Sequence, residues 1–365
     1  MSNPTVVQFG TSRFLQAHAD LFLSEAMPDA RPVTVVQSSG DAQRAARLQA
    51  LAEGYEVRIR GLWQGRPVEE TCRVTSIARG LIFGPDLAEV QRLVAEEADM
   101  ILSNTGDAGF GPQAADAGRC LDPAMSYPAK LAYLLRARFE QGGRAVQVLP
   151  TELLRGNGTA LRDLVLAAAE GMDRDYRDWL RAEVVWVNSL VDRIVSEPLY
   201  PAGAIAEPYA LWAIEAQPGL RLPCQHPAVQ VVPDLGVIER RKLFVLNLGH
   251  SWMVAEWLAR GRRDAEHVRE VMADLDWVAR LRAVFAEEVF PGFVAAGEGA
   301  GLEDYIETTL ERFSNPFLDH RLADIAQNHA QKLERRIAAF LAWAEANGDG
   351  RAKPRLRAAL QGEIG

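Results

Sequence analysis

Cysteine is scarce in this 365-residue chain: Cys72, Cys120 and Cys224 stand apart from one another. An odd number of isolated thiols argues against a disulfide framework and against a Cys-x-x-Cys metal site. No His-x-x-x-His pair takes their place, so no metal, and in particular no catalytic zinc, is expected. Basic residues are outnumbered, 40 Lys and Arg against 49 Asp and Glu, for a net charge of −9 and a pI near 5.3. That balance argues against nucleic acid and anionic membrane as partners. The local basic runs, such as Glu239–Lys242 and Glu334–Arg336, contain acids and read as solvated helix faces. No apolar run approaches the ~18 residues needed to cross a bilayer. The N-terminal residues lead into a strand with no basic or apolar leader pattern, and a cytoplasmic location is expected.

What is present is ordinary in composition, 48% hydrophobic and 24% charged, and long enough for two domains. Short β-branched runs alternate with helical stretches: strands at Thr5–Phe9, Pro32–Gln37, Met100–Ser103, Ala145–Leu149 and Val184–Val187, with helices between, the first at Phe14–Ala26. Tyr55–Arg60 and Glu70–Ile77 suggest a hairpin inserted in the same sheet. The alternation predicts an α/β fold with a doubly wound, mostly parallel sheet over residues 1–195. Residues 196–365 are expected to form a mainly α-helical domain, entered through a proline-rich crossing segment at 196–237.

Lys242, Asn247 and His250 carry the clearest chemical signal. On one α-helix, at about 100° per residue, they fall near 0°, 140° and 80° and share a side. Phe244, Leu248, Trp252 and Ala255 fall at roughly 200–280° and would anchor the opposite side in a core. An amine, an amide and an imidazole aimed at one space suit proton transfer beside an alcohol or carbonyl. The spacing is equally compatible with a solvated lysine and a satisfied core histidine.

The first strand runs into Gly10-Thr11-Ser12-Arg13-Phe14 and a helix, the arrangement that presents backbone N–H groups and a positive dipole end to a pyrophosphate. Of the Gly-x-Gly-x-x-Gly fingerprint only Gly10 is kept; Ser12 and Leu15 occupy the other positions. After the second strand Gln37 and Ser38 stand where an acid would hold the adenosine ribose, with Ser39 or Asp41 as a helix cap and Arg44 and Arg47 one turn on. NAD is the expected cofactor; NADP is possible because no carboxylate repels a 2′-phosphate, which Arg44 and Arg47 could help bind. Asn104 and Thr105 end a strand where the nicotinamide ribose is expected, and Asn188 ends another. The Asp192–Arg193 pair reads as structural.

Several stretches together resemble the zinc-independent, long-chain polyol and uronate dehydrogenases, the mannitol dehydrogenase family. They are Lys242-x4-Asn247-x2-His250-Ser251, Asn188-Ser-Leu-Val-Asp-Arg-Ile194, Phe14-Leu-Gln-Ala-His18 and Phe313-Ser-Asn-Pro-Phe317. Ser103–Thr105, Ser126–Lys130, Pro150–Leu153 with Asn157-Gly158, and Glu207–Trp212 look most like the tagaturonate (altronate) reductase branch. The chain departs from the family at Ser12, in its shorter length, and at Gln331–Arg335, a loose match to a basic substrate contact. The resemblance implies an N-terminal Rossmann-like domain and metal-free hydride transfer between a nicotinamide and a small-molecule sugar acid or polyol. It implies Lys242 as acid/base, Asn188 and Asn247 as donors to the reacting oxygen, and His250 as a substrate-orienting group. Glu152 and Lys332 are further substrate contacts by the same resemblance. A polyol-phosphate dehydrogenase and a catalytically silent dinucleotide-binding regulator stay open as alternatives.

Overall fold

The computed structural model describes residues 5–27, 31–38, 42–263 and 265–362. The expected cap at Ser39 or Asp41, and the side chain of Arg44, lie outside the described residues. The chain divides into two compact units, Met1–Ile59 with Glu70–Leu235, and Arg60–Glu69 with Gly236–Gly365.

From Thr5 the order is β1 (Thr5–Phe9), α1 (Arg13–Gln16), α2 (Ala19–Glu25), β2 (Val33–Gln37), α3 (Ala42–Ala52), β3 (Tyr55–Trp63), β4 (Arg66–Val74), β5 (Ile77–Ile82), α4 (Leu87–Glu96) and β6 (Ala98–Ser103). There follow α5 (Asp107–Phe110), α6 (Tyr127–Glu140), β7 (Gln147–Pro150), α7 (Asn157–Ala168), α8 (Arg174–Ala182), β8 (Val185–Trp186), β9 (Ser189–Asp192), β10 (Val195–Pro198), β11 (Ala204–Ala206), β12 (Leu211–Glu215) and β13 (Val229–Val232). Six strands form one sheet in the order β5-β2-β1-β6-β7-β8, every neighbouring pair parallel. Strands covered on both faces need apolar residues at every position rather than alternation, and β1 and β2 are buried along their whole length. The strand order reverses direction between β1 and β6, so the topological switch point lies at their carboxyl ends.

Three expectations are corrected here. The hairpin does not join the main sheet: β3 and β4 form a second sheet with β10 and β11. The segment 196–237 is not a bare crossing, because it supplies β11, β12 and β13 and groups with the first unit, so the division comes at Leu235 rather than near 195. The helix after the glycine turn is not continuous. His18 leaves the helical conformation at φ −129° and ψ −94°, because its ring is drawn into the core, Nε2 lying 3.0 Å from the Leu211 carbonyl oxygen. Burial pushes that imidazole down to about 3, so it is a neutral core histidine.

Gly10 turns the chain off β1 with φ +121°, and a Cβ there would stand 2.5 Å from the Asn104 carbonyl oxygen. Gly10→Ala is therefore expected to lower the unfolding free energy by on the order of 1–3 kcal/mol. Urea denaturation checks this; a midpoint equal to wild type would show that the turn tolerates a side chain.

The second unit is mainly helical. α9 (Leu235–Arg241) and α10 (Leu248–Ala259) are joined by a π-helical turn at Lys242–Asn247, and further π turns occupy Val284–Val289 and Glu334–Ala338. Residues Leu248–Trp257 are buried without a break, the mark of a helix at the centre of its unit. Phe244, Leu248, Trp252 and Ala255 are all in the core, but so are the residues between Leu248 and Trp257, so burial here is not confined to one helical face. The hairpin tip belongs to this unit. Gln64 and Gly65, both at positive φ, form the two-residue turn that suits the twist of its strands. Their backbone N–H groups donate to the Glu311 carboxylate. Among the described residues no helix is long and apolar enough to cross a membrane.

Candidate functional site

In the first unit the expected cofactor residues gather at the carboxyl ends of β1 and β6. Ser12 caps α1, its Oγ accepting the Leu15 N–H at 3.2 Å and donating to Asn104 Oδ1 at 2.9 Å. Asn104 Nδ2 in turn donates to the carbonyl and hydroxyl oxygens of Thr151, 3.2 and 3.1 Å away. One chain of polar contacts thus ties the ends of β1, β6 and β7. Thr11 is buried, and its carbonyl accepts from Gln16 Nε2 at 3.1 Å. Phe14 stacks on His18 with centroids 4.7 Å apart. Gln37 is buried at the end of β2, and the Ser38 carbonyl beyond it accepts from Lys130 Nζ at 3.3 Å.

Arg13 was expected at the cofactor, but its guanidinium is engaged elsewhere. It donates to the carbonyls of Gly203 (2.8 Å) and Pro201 (3.3 Å) and to Gln16 Oε1 (3.1 Å). Glu152 was expected at the substrate, yet its carboxylate serves its own loop. It accepts from Ser103 Oγ at 3.0 Å, from the Thr105 N–H at 3.0 Å and from Thr105 Oγ1 at 3.4 Å. Burial pushes its pKa upward, which the hydrogen bonds only partly offset. Glu152 therefore holds the Ser103–Thr105 strand end in shape.

Asn188 also has structural work. Its Oδ1 accepts the Thr159 N–H at the start of α7 (2.9 Å), and Nδ2 donates to Glu215 Oε2 (2.8 Å). Asn157, which the spacing did not single out as a site residue, is the hub behind it. Its Nδ2 lies 3.0, 3.1 and 2.9 Å from the carbonyls of Pro150, Glu152 and Ser189, and its Oδ1 accepts the Ser189 N–H at 2.9 Å. Arg193 is buried against the carbonyls of Ala17 and Glu207, where it ties backbone segments together.

In the second unit Lys242 and Asn247 are the first and last residues of the π turn. Its i→i+5 bonds overturn the uniform 100° count through this segment. π turns of this kind are frequent at functional sites. Lys242 and Asn247 are half-buried, whereas His250 is 6% exposed and packs on Phe313 (4.5 Å) and His320 (4.7 Å). Its Nε2 is buried and has no hydrogen-bond partner among the described residues. Burial first, then the charges of His320, Arg336, Arg312 and Lys332, hold its pKa well below the ordinary range. It is neutral at pH 7 and can both donate and accept.

Lys332 Nζ donates to the Ile325 carbonyl at 2.7 Å. Arg336, read from sequence as part of a solvated face, is half-buried. Its Nη1 donates to the Asn247 carbonyl (3.2 Å) and to Ser251 Oγ (3.1 Å), bracing the end of the π turn. The only local signal for it was the i, i+4 spacing of Lys332 and Arg336 on one helix.

Two family models cover most of the chain: the mannitol dehydrogenase Rossmann domain over residues 4–222 and the mannitol dehydrogenase C-terminal domain over 234–354. The altronate oxidoreductase of Halalkalibacterium halodurans is 30% identical over 361 residues, 91% of this chain and 69% of that protein. The altronate oxidoreductase of Bacillus subtilis is 28% identical over 375 residues, 94% of this chain and 76% of that protein. Among solved structures, a substrate-free D-sorbitol dehydrogenase superposes with a TM-score of 0.85 at 20% identity, covering 99% of this chain and 80% of that one. Pseudomonas fluorescens mannitol 2-dehydrogenase, in a ternary complex with NAD and D-mannitol, gives 0.75 at 19% identity, with 99% and 78% covered. At such identities the structures speak for the fold, and the two sequence matches for descent: the chain belongs to the mannitol dehydrogenase family and is a dehydrogenase acting on CH–OH groups.

Proposed function

We propose that this chain is an NAD-dependent oxidoreductase that interconverts a secondary alcohol and a ketone on a sugar acid of the altronate and tagaturonate type. The observation that carries the choice of an acid over a neutral polyol is the charge around His250. Arg336, Arg312 and Lys332, whose charges weigh on it, are all basic, and Arg336 braces the π turn beside it. Such a set favours a carboxylate-bearing ligand and gives a neutral polyol nothing in return for its desolvation. The altronate oxidoreductase relatives support the same reading.

The Gly10 turn, the Ser12–Asn104 bond and the braced Thr105 fit a dinucleotide at the switch point of the sheet. The nicotinamide, when bound, supplies the hydride acceptor or donor. Lys242 takes the hydroxyl proton as the alcohol is oxidised and returns it to the carbonyl oxygen on reduction. Asn247 donates an amide N–H to that oxygen as negative charge builds on it. Asn188 keeps one amide N–H, the one not given to Glu215, for a ligand. His250, neutral, orients a neighbouring substrate hydroxyl.

The test is a panel of aldonates and uronates, neutral polyols, and polyol phosphates, assayed with NAD and NADP by nicotinamide absorbance. The sugar acids are expected to exceed neutral polyols in kcat/KM by at least about 10-fold, the worth of one charge-assisted contact. A preference for a neutral polyol rejects the acid reading, and a preference for the phosphates moves the substrate to that class. Dinucleotide binding with no turnover of any alcohol or ketone would leave a regulator.

A further inference from the structure

The diphosphate of a dinucleotide needs positive charge at the turn after β1, and this chain has lost two of the usual sources. The first is the helix dipole. α1 is four residues long and stops before His18, so few peptide dipoles align behind the turn. The second is bare backbone: Ser12 replaces the middle glycine, and its hydroxyl already takes the Leu15 N–H. Arg13, the nearest cation in sequence, is committed to Gly203, Pro201 and Gln16.

Another guanidinium arrives from α3. Arg47 is half-buried, and its Nη1 lies 3.4 Å from the Thr11 carbonyl oxygen, in the turn itself. Apart from burial, its charge is the largest influence holding the Arg13 pKa down. Arg47 is thus the guanidinium at the turn itself, and it has no carboxylate partner among the described residues. A half-buried cation without such a partner favours an anion beside it. With one carbonyl contact among the described residues, most of the Arg47 N–H donors are left for such an anion.

We infer that Arg47 is a coenzyme-binding residue that supplies the charge for the diphosphate at the Gly10–Ser12 turn. The inference rests on the dinucleotide reading above. It differs from the expectation that Arg47 would meet a 2′-phosphate, since its contact is to the turn after β1 and not to Gln37 or Ser38 after β2.

Calorimetric titration of the intact protein with NADH, NADPH, ADP-ribose and adenosine tests it. Arg47→Met is expected to weaken NADH, NADPH and ADP-ribose alike, by about 10- to 100-fold for a lost charge-assisted contact, and to leave adenosine unchanged. Arg47→Lys, which keeps the charge and guards against a folding defect, is expected to recover most of the loss. The dependence of NADH affinity on salt should fall in Arg47→Met and persist in Arg47→Lys. Weakening of NADPH alone overturns the diphosphate assignment, as does unchanged binding in Arg47→Met while wild type binds NADH. A wild type that binds none of the four ligands overturns the dinucleotide reading itself.

Discussion

Replacing Lys242 with alanine is expected to cut turnover by roughly 100- to 10,000-fold, the range for losing a positioned acid/base, while the Kd for NADH stays within about 2-fold of wild type. Lys242 opens the π turn and is half-buried, so its truncation removes no fully buried side chain from the core. Alanine is the best helix former and holds the backbone there, so the variant should fold. Lys242→Arg discriminates further, because a guanidinium keeps the positive charge but does not give up its proton. If charge alone mattered, arginine would restore activity; if the proton is transferred, it stays as poor as alanine. Steady-state rates with a sugar acid, together with NADH titrations, separate the outcomes. Turnover of the alanine variant within about 3-fold of wild type would falsify the acid/base role.

Asp20→Asn is expected to change how stability depends on pH. Asp20 lies fully buried on α2, with Tyr55 Oη 3.0 Å from Oδ2 and no hydrogen-bond partner for Oδ1 among the described residues. Burial pushes its pKa from 3.8 to about 7, against the smaller opposing influence of the hydrogen bond from Tyr55. The folded state therefore holds a proton that the unfolded state has released between pH 4 and pH 7. A raised folded pKa contributes stability that is complete below the unfolded value and is lost as pH rises through the folded one. The shift of about 3 units sets a ceiling of ~4 kcal/mol. Asparagine, which cannot ionise, should not show this decline. Urea unfolding of both proteins at pH 5 and pH 8, followed by a probe in the first unit, measures it. The wild type should lose stability relative to the variant on going to pH 8. Parallel behaviour at the two pH values would mean that Asp20 is solvated or permanently neutral.

How much of this molecule the sequence reveals depends on how far apart the cooperating residues lie. The β-branched runs of β1, β2, β6 and β7 and the helices between them fall where their patterns predict, and the sheet is parallel and doubly wound as alternation requires. Phe244, Leu248, Trp252 and Ala255 are buried as expected, but the helix that carries the last three is buried on every side from Leu248 to Trp257. Misreadings begin where a local rule meets a distant partner. The helix after Gly10 breaks because His18 seeks the carbonyl of Leu211, 193 residues on. Glu152 serves Ser103 and Thr105, 49 and 47 residues back, and Asn188 caps a helix 29 residues earlier. The basic run around Arg336 looks solvated until its contact with Asn247, 89 residues away, is seen.

Residue order alone therefore determined the alternating architecture, the turn after β1, the burial of helix faces and the motifs that carry the family likeness. Each is a pattern within a few residues, set by backbone geometry and the transfer of apolar side chains out of water. Only the tertiary structure decided what each polar group does, because buried donors and acceptors must be satisfied by whatever the fold brings near. Arg47 beside Thr11, Arg336 beneath the π turn and the bases around His250 are matters of packing that no spacing along the chain encodes.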